Sequence, residues 1–207
     1  MAYDGRLLRL AQERYETDRS IREAEQSAQR EAIYTRRPRL REIDEELRRT
    51  ASRVLAAALR RGQDPLPEIQ RLKEQNLNLQ AERKNLLAEL GLTEGDLENT
   101  PLCSLCGDTG YRGGQMCRCL KAYYVEEERK ELYALADSTA AEVSKDGDKF
   151  RQYLDVQSRF SRYTPTNALL ILAQMPEATQ LKDFDGWKEA GVSIQRKPRS
   201  VKILELG

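Results

Sequence analysis

Four cysteines constrain this chain more than any other feature, because all of them fall in one glycine-rich stretch. They form a Cys-x-x-Cys pair at Cys103 and Cys106 and a Cys-x-Cys pair at Cys117 and Cys119. The loop between the pairs, residues 107–116, contains glycines that allow the chain to fold back on itself. Four thiolates suit a tetrahedral Zn²⁺ site, and the sequence has no histidine to replace one of them. We therefore expect a four-cysteine site for one structural zinc ion.

Two other uses of these cysteines stay open, a redox dithiol and unligated thiols. A thioredoxin-type redox pair is expected in a βαβ setting, which the sequence pattern lacks. In a reducing compartment, clustered cysteines are more often metal ligands than disulfides. Four thiolates also leave no open coordination position for catalysis. Because the short loop cannot fill a core of its own, metal binding is expected to supply the folding free energy of this segment.

Composition excludes several classes of enzyme. The 207 residues include 35 Lys and Arg against 34 Asp and Glu, and 39% are hydrophobic, which favours long solvated helices over one large core. The absence of histidine excludes Ser-His-Asp and Cys-His nucleophilic sites and zinc proteases of the His-Glu-x-x-His type. The Gly-x-x-x-x-Gly-Lys-Ser/Thr phosphate loop is also missing from the sequence. We therefore expect a non-enzymatic protein with no nucleotide cofactor.

The hydropathy pattern gives no indication of a membrane segment. No window approaches the roughly 18 apolar residues that a spanning helix needs. The first residues also lack the apolar core of a signal peptide. We expect a cytoplasmic protein with no membrane partner.

Residues 1–99 show the apolar spacing of three helices. Sparse apolar residues at helical intervals predict a long exposed helix over residues 6–36. A second stripe from Pro38 to Gly62 and a heptad seam from Pro65 to Gly91 predict two more. The short connection between them predicts antiparallel neighbours, so we expect a helical hairpin or coiled-coil arm. The arm is either a spacer or oligomerisation element, or a protein-docking surface.

The rest of the chain divides into three parts. Residues 100–121 form the expected zinc module, residues 122–146 a linking helix, and residues 147–207 a separate segment. Within that segment, residues 183–190 predict a short helix with the only tryptophan, and alternation over residues 192–206 predicts a β-hairpin. The predicted fold is mainly α: a helical hairpin or coiled-coil arm, a small four-cysteine zinc module, and an α+β segment ending in a β-hairpin.

The last segment has an excess of basic residues. Residues 149–207 hold 10 Lys and Arg against 6 Asp and Glu, a local balance of +4. Single-strand binding combines cations that follow the phosphates with aromatic faces on which bases stack. The candidates for DNA contact are Arg159, Arg162, Tyr163, Asn167, Trp187, Lys188, Arg196, Lys197, Arg199 and Lys202. The alternatives are that Trp187 anchors a core, that Tyr163 packs at a helix end, and that the hairpin cations form an ordinary solvated turn.

Residues 1 to about 130 carry the motifs of a known family. The motifs are Leu40-Arg41-Glu42-Ile43-Asp44, Gln75-Asn76-Leu77-Asn78-Leu79-Gln80, Leu86-Leu87-Ala88-Glu89-Leu90-Gly91-Leu92, Cys103-Ser104-Leu105-Cys106-Gly107-Asp108-Thr109-Gly110-Tyr111 and Cys117-Arg118-Cys119-Leu120. This region resembles the N-terminal part of DnaC/DnaI-type replicative helicase loaders. The resemblance implies a helical segment and a zinc module that contacts the replicative helicase. The ATPase domain that follows in such loaders is absent, so we expect no loader-type ATP hydrolysis.

A second resemblance covers residues from about 140 to 207. Its motifs are Phe160-Ser161-Arg162-Tyr163-Thr164-Pro165-Thr166-Asn167, Leu169-Leu170-Ile171-Leu172-Ala173-Gln174, Pro176-Glu177-Ala178-Thr179 and Trp187-Lys188. This region resembles the start of the N-terminal domain of ArdC-type antirestriction proteins. The resemblance implies a truncated domain that binds single-stranded DNA.

Both resemblances indicate DNA metabolism. We expect a non-enzymatic single-stranded-DNA-binding protein of DNA replication or mobile-element transfer, with a structural zinc module. The alternative is a protein-interaction module without ATPase activity that docks on a replicative helicase or another replication protein.

Overall fold

The computed structural model describes residues 3–59, 64–194 and 200–204, and these residues are mainly helical. This confirms the predicted fold class at the level of a mainly α protein. The helices are α1 (Gly5–Arg36), α2 (Pro38–Ala58), α3 (Leu66–Glu89), α4 (Arg118–Val143), α5 (Gly147–Arg159), α6 (Pro165–Gln174) and α7 (Phe184–Glu189). A 3₁₀ turn covers Glu94–Leu97, and two short strands are β1 (Tyr111–Arg112) and β2 (Gln115–Met116). Within the described part of the chain, none of these helices combines the length and apolar character needed to cross a bilayer.

The chain forms two compact units. One unit, called here the α2–α3 unit, is Arg14–Cys117, and the other, the α4–α7 unit, combines Met1–Glu13 with Arg118–Gly207. The domain boundaries predicted from the sequence, after residues 99, 121 and 146, stay a prediction. The helix predicted as a linker contributes Leu132 and Ala136 to a buried cluster with Leu170 of α6, so α4 is a packed element of its unit.

The α2–α3 unit is built on antiparallel packing of its two named helices. Leu40 near the start of α2 and Leu87 near the end of α3 share one buried cluster. Farther along α2, Asp44 accepts a hydrogen bond from Arg83 Nε at 2.7 Å, and both side chains are about one-sixth exposed. Later residues of α2 therefore contact earlier residues of α3, so the two helices are antiparallel. The connection runs through residues 60–63, outside the described residues, and the hairpin arm stays a prediction.

Helix ends in the α4–α7 unit follow ordinary capping chemistry. Asp146 accepts from the backbone N–H groups of Asp148 and Lys149 at the start of α5. Thr164 accepts from Asn167 N–H, and Pro165 occupies the first turn of α6. These caps fix where α5 and α6 begin. The apolar core of this unit buries Val156, Phe160, Ala168, Ile171 and Ala178 together.

The predicted C-terminal β-hairpin needs correction where it is described. Residues 192–194 and 200–204 form no strand, and the turn at residues 197–199 lies outside the described residues. The backbone of residues 200–204 instead bonds to two side-chain amides of α6. Asn167 exchanges hydrogen bonds with both backbone groups of Leu204, and Gln174 does the same with Lys202. These amides take the place of a neighbouring strand.

Candidate metal centre

The four cysteine thiols lie together. All four Sγ atoms are within 4.8 Å of one another. The Sγ atoms of Cys103 and Cys117 are 3.8 Å apart, and these two residues are buried, whereas Cys106 and Cys119 are half-buried. A tetrahedral ion with metal–sulfur bonds of about 2.3 Å separates its sulfurs by about 3.8 Å. The structure therefore confirms that the four residues are close enough to hold one metal ion.

The first cysteine pair lies on a tight turn. Gly107 N–H donates to the carbonyl of Cys103 at 2.9 Å, and Thr109 N–H donates to that of Cys106 at 3.3 Å. The next two residues adopt left-handed backbone, with φ of 55° at Gly107 and 62° at Asp108. This turn reverses the chain directly after Cys106 and leaves both thiols on one side.

The second pair is returned to the first by a small hairpin. β1 and β2 are antiparallel, with Tyr111 opposite Met116 and Arg112 opposite Gln115. Gly113 and Gly114 have φ of 56° and 78°, which suits a two-residue turn that needs positive φ at both positions. The sequence pattern indicated that these glycines let the chain fold back, but this hairpin was not predicted from it. The signal was the Gly-Gly pair between two short β-compatible dipeptides.

A carboxylate that was not among the predicted site residues lies beside the first cysteine. Asp108 accepts hydrogen bonds from Leu102 N–H at 2.9 Å, from Cys103 N–H at 2.8 Å, and from the Tyr15 hydroxyl at 3.3 Å. Tyr15 is 5% exposed and belongs to α1. The only advance signal was a short polar residue after Gly107, where left-handed backbone favours Gly, Asn or Asp.

Three of the predicted DNA-contact residues are engaged inside their own unit. Asn167 is 1% exposed, and its amide bonds to Leu204, so it is corrected from a DNA contact to a structural residue. Arg159 donates to the carbonyls of Pro176 and Ala178. Lys202 Nζ lies 2.6 Å from Glu128 Oε1, and this hydrogen bond raises the pKa of Lys202 above its ordinary value.

The other candidates differ in accessibility. Arg162 and Lys188 are exposed. Tyr163 is half-buried against Phe160, with ring centroids 5.8 Å apart, and Trp187 has Lys182 Nζ at 5.6 Å from its ring centroid. Packing therefore covers part of both aromatic rings. Arg196, Lys197 and Arg199 lie outside the described residues.

A separate polar cluster lies in the α2–α3 unit. The hydroxyl of Tyr34 donates to Asp44 Oδ2 at 2.6 Å, and the other oxygen of Asp44 accepts from Arg83. Burial, and next the hydrogen bond to Asp44, raise the pKa of Tyr34 to about 12. A phenol with so high a pKa keeps its proton at neutral pH, which suits a structural role better than acid–base chemistry.

Comparisons of the chain with protein-family models, with curated proteins and with solved structures found no match. The resemblances to helicase loaders and to ArdC-type proteins stay predictions from their motifs.

Proposed function

We propose that Cys103, Cys106, Cys117 and Cys119 bind one Zn²⁺ ion with a structural role. The observation that carries this proposal is the convergence of four sulfur atoms within 4.8 Å. Thiolates are soft ligands that select zinc or iron in a tetrahedral set. A site closed by four protein ligands has no position for substrate or water, so the ion would shape the chain and take no part in catalysis.

The cysteine loop, residues 100–119, leaves several large apolar side chains exposed. Leu102 is 40% exposed, Leu105 is 45% exposed and Tyr111 is 39% exposed. Residues that bury so little apolar surface gain little from the hydrophobic effect. A bound ion supplies the missing free energy, as in other small metal-dependent modules.

Metal analysis tests the zinc proposal. Protein purified from zinc-supplemented cells should contain one equivalent of zinc, and its four thiols should react with a thiol reagent only after a chelator is added. Co²⁺ substitution should give the absorption spectrum of a tetrahedral sulfur site. Well under half an equivalent of zinc, with four thiols that react at once, would contradict the proposal, as would one equivalent of coloured iron.

The function that follows is a zinc-stabilised, non-enzymatic protein-docking module of DNA replication. Leu102, Leu105 and Tyr111 place exposed apolar surface on the cysteine loop itself. Apolar and aromatic side chains in a fixed position are typical anchors of protein interfaces. The resemblance of this region to helicase loaders supports a replicative helicase as the partner.

Direct binding to a purified hexameric replicative helicase tests the docking proposal. Leu105→Ser should weaken binding about tenfold, because it replaces an exposed apolar side chain of the cysteine loop with a polar one. Leu77→Ser is a matched control, since Leu77 is 55% exposed on α3, and it should stay within twofold of wild type. Absence of binding by wild type, or equal losses for both variants, would contradict the proposal.

Single-stranded-DNA binding is the second candidate function. Exposure of Arg162 and Lys188 in the α4–α7 unit favours it, together with the basic balance of residues 149–207. If several phosphates are contacted, log affinity should fall with log salt by about 0.7 per contact. Arg162→Ala with Lys188→Ala should flatten that slope, as should Lys197→Ala with Arg199→Ala, while Lys84→Ala on α3 should not. Absence of binding at low salt would leave protein docking as the function.

A further inference from the structure

We propose that Asp108 is a positioning residue that holds Cys103, the first of the four cysteines, in ligand geometry and joins it to α1. The inference rests on the proposed zinc site and adds a residue outside the ligand set. Asp108 does not belong to the group of four sulfur donors. Outer residues that fix the orientation of ligands are a regular part of metal sites.

The hydrogen bonds of Asp108 act on the backbone of the first ligand. Its Oδ1 accepts from the N–H of Cys103 itself, at 2.8 Å, and its Oδ2 accepts from the N–H of Leu102, at 2.9 Å. These two bonds hold the adjacent N–H groups of Leu102 and Cys103 in place. The thiol of Cys103 faces that of Cys117. With both oxygens bonded to N–H groups, the carboxylate is directed at the backbone, so it would act on a bound ion through the position of Cys103.

The backbone of Asp108 supports a role for its side chain. Asp108 has φ of 62°, the one positive value at a residue other than glycine in the part of the chain that the structure describes. Glycine adopts this conformation with the least strain, and four glycines occupy comparable backbone in the same loop. The three hydrogen bonds that the Asp108 carboxylate accepts offset the strain of this backbone conformation.

The third hydrogen bond ties the loop to a helix. The hydroxyl of Tyr15, a buried residue of α1, donates to the same Oδ1 that holds Cys103. Two further α1 side chains, Arg22 and Gln26, donate to the carbonyl of Thr100 just upstream of the cysteines. Through Tyr15, Asp108 therefore links α1 to the backbone of Cys103, one of the proposed ligands.

Zinc affinity in the full chain tests this role, measured by competition with a chromophoric chelator. Asp108→Gly keeps the backbone conformation and removes the carboxylate, so it should weaken zinc binding by about 10- to 100-fold. Asp108→Asn keeps one acceptor oxygen and should give an intermediate loss. Tyr15→Phe should give the smallest loss, because both backbone contacts remain. Asp96→Asn is the matched control, since Asp96 also accepts from a backbone N–H but at the Thr93 cap, and it should bind zinc like wild type.

The Co²⁺ spectrum separates positioning from general destabilisation. Altered ligand geometry in Asp108→Gly and Asp108→Asn should shift the cobalt bands, while the helical content measured by circular dichroism stays that of wild type. Wild-type affinity and an unshifted spectrum in Asp108→Gly would overturn the inference. If Asp108→Gly fails to fold, wild-type zinc affinity and an unshifted spectrum in Asp108→Asn would overturn the inference. Absence of zinc binding by wild type would instead defeat the proposed zinc site, which is a different outcome.

Discussion

The cysteine loop and the core of α5 and α6 are stabilised in opposite ways. Ile171 and Ala168 are fully buried, and Val156 and Phe160 complete an apolar cluster with them. The cysteine loop exposes Leu105 and Tyr111, and its buried side chains include two thiols. Burial of apolar surface is non-directional, whereas a tetrahedral site requires four atoms in fixed places.

This difference means that each region should respond to its own perturbation. Loss of the metal should act on the cysteine loop and leave the α5–α6 core folded. Loss of a core methyl group should act on the core and leave zinc affinity unchanged. The predictions below test that separation, in decreasing order of expected effect.

The largest effect is expected from metal removal. Chelation, or Cys117→Ser, should abolish protection of the amides of residues 103–117 in hydrogen exchange. Structural zinc contributes on the order of 10 kcal/mol of apparent binding free energy, which is large for a segment that exposes so many of its apolar side chains. Amides of α6 should keep their protection. Equal loss of protection in α6 would show that the two regions are not separable.

Truncation in the α5–α6 core should have the next largest effect. Ile171 is 0% exposed, so Ile171→Ala removes buried methyl groups and leaves a cavity. We expect the free energy of unfolding to fall by about 2–5 kcal/mol, and by about 0.5–1.5 kcal/mol for Ile171→Val. The only tryptophan, Trp187, provides the fluorescence signal for urea unfolding of this unit. A change in zinc affinity in either variant would break the comparison.

Loss of the Asn167 amide should have a smaller effect in the same region. Asn167→Ala leaves the N–H and C=O groups of Leu204 without their present partner. An unsatisfied buried polar group costs about 1–3 kcal/mol, and we expect a loss of that size in urea unfolding. Asn78→Ala on the exposed face of α3 is the control and should change stability by less than about 0.5 kcal/mol. Equal effects of the two substitutions would contradict the buried role of Asn167.

The smallest effect concerns the pH dependence of the α2–α3 unit. The pKa of Tyr34 is raised from 10.0 to about 12 by burial and by the hydrogen bond to Asp44. Because the folded pKa is above the unfolded one, the contribution of Tyr34 to stability is complete below pH 10 and falls as the pH rises towards 12. Tyr34→Phe should remove the ionisation at the highest pH in the tyrosinate absorbance titration, together with this part of the alkaline destabilisation. Tyr111→Phe, an exposed control, should leave that high-pH ionisation in place.

The sequence predicted the helices because their signals are local. Apolar spacing, together with Pro38 and Pro65 at helix starts, placed α1, α2 and α3 within a few residues of their observed bounds. The cluster of four cysteines was predicted because cysteine spacing is itself a chemical pattern. Each of these signals can be recognised within a short window of sequence.

The errors concern contacts between residues far apart in the sequence. Asn167 was a candidate for DNA contact because it lies in the motif that resembles ArdC-type proteins, yet its partner Leu204 lies 37 residues away. Asp108 was passed over because its partner Tyr15 lies 93 residues away. Local pattern shows that a polar side chain is present but carries no information on whether the tertiary fold buries it and supplies its partner.

The side-chain amides of Asn167 and Gln174 on α6 determine which nearby positions of the chain can vary. A primary amide offers one donor and one acceptor side by side, as a peptide group in a neighbouring strand does, so Asn167 and Gln174 select for main-chain geometry at positions 202 and 204. Val201 and Ile203 meet the apolar cluster and are restricted to apolar types. We therefore expect positions 167 and 174 of α6 to tolerate few substitutions, because their side chains make these hydrogen bonds. Position 202 should tolerate many, because it takes part through its backbone.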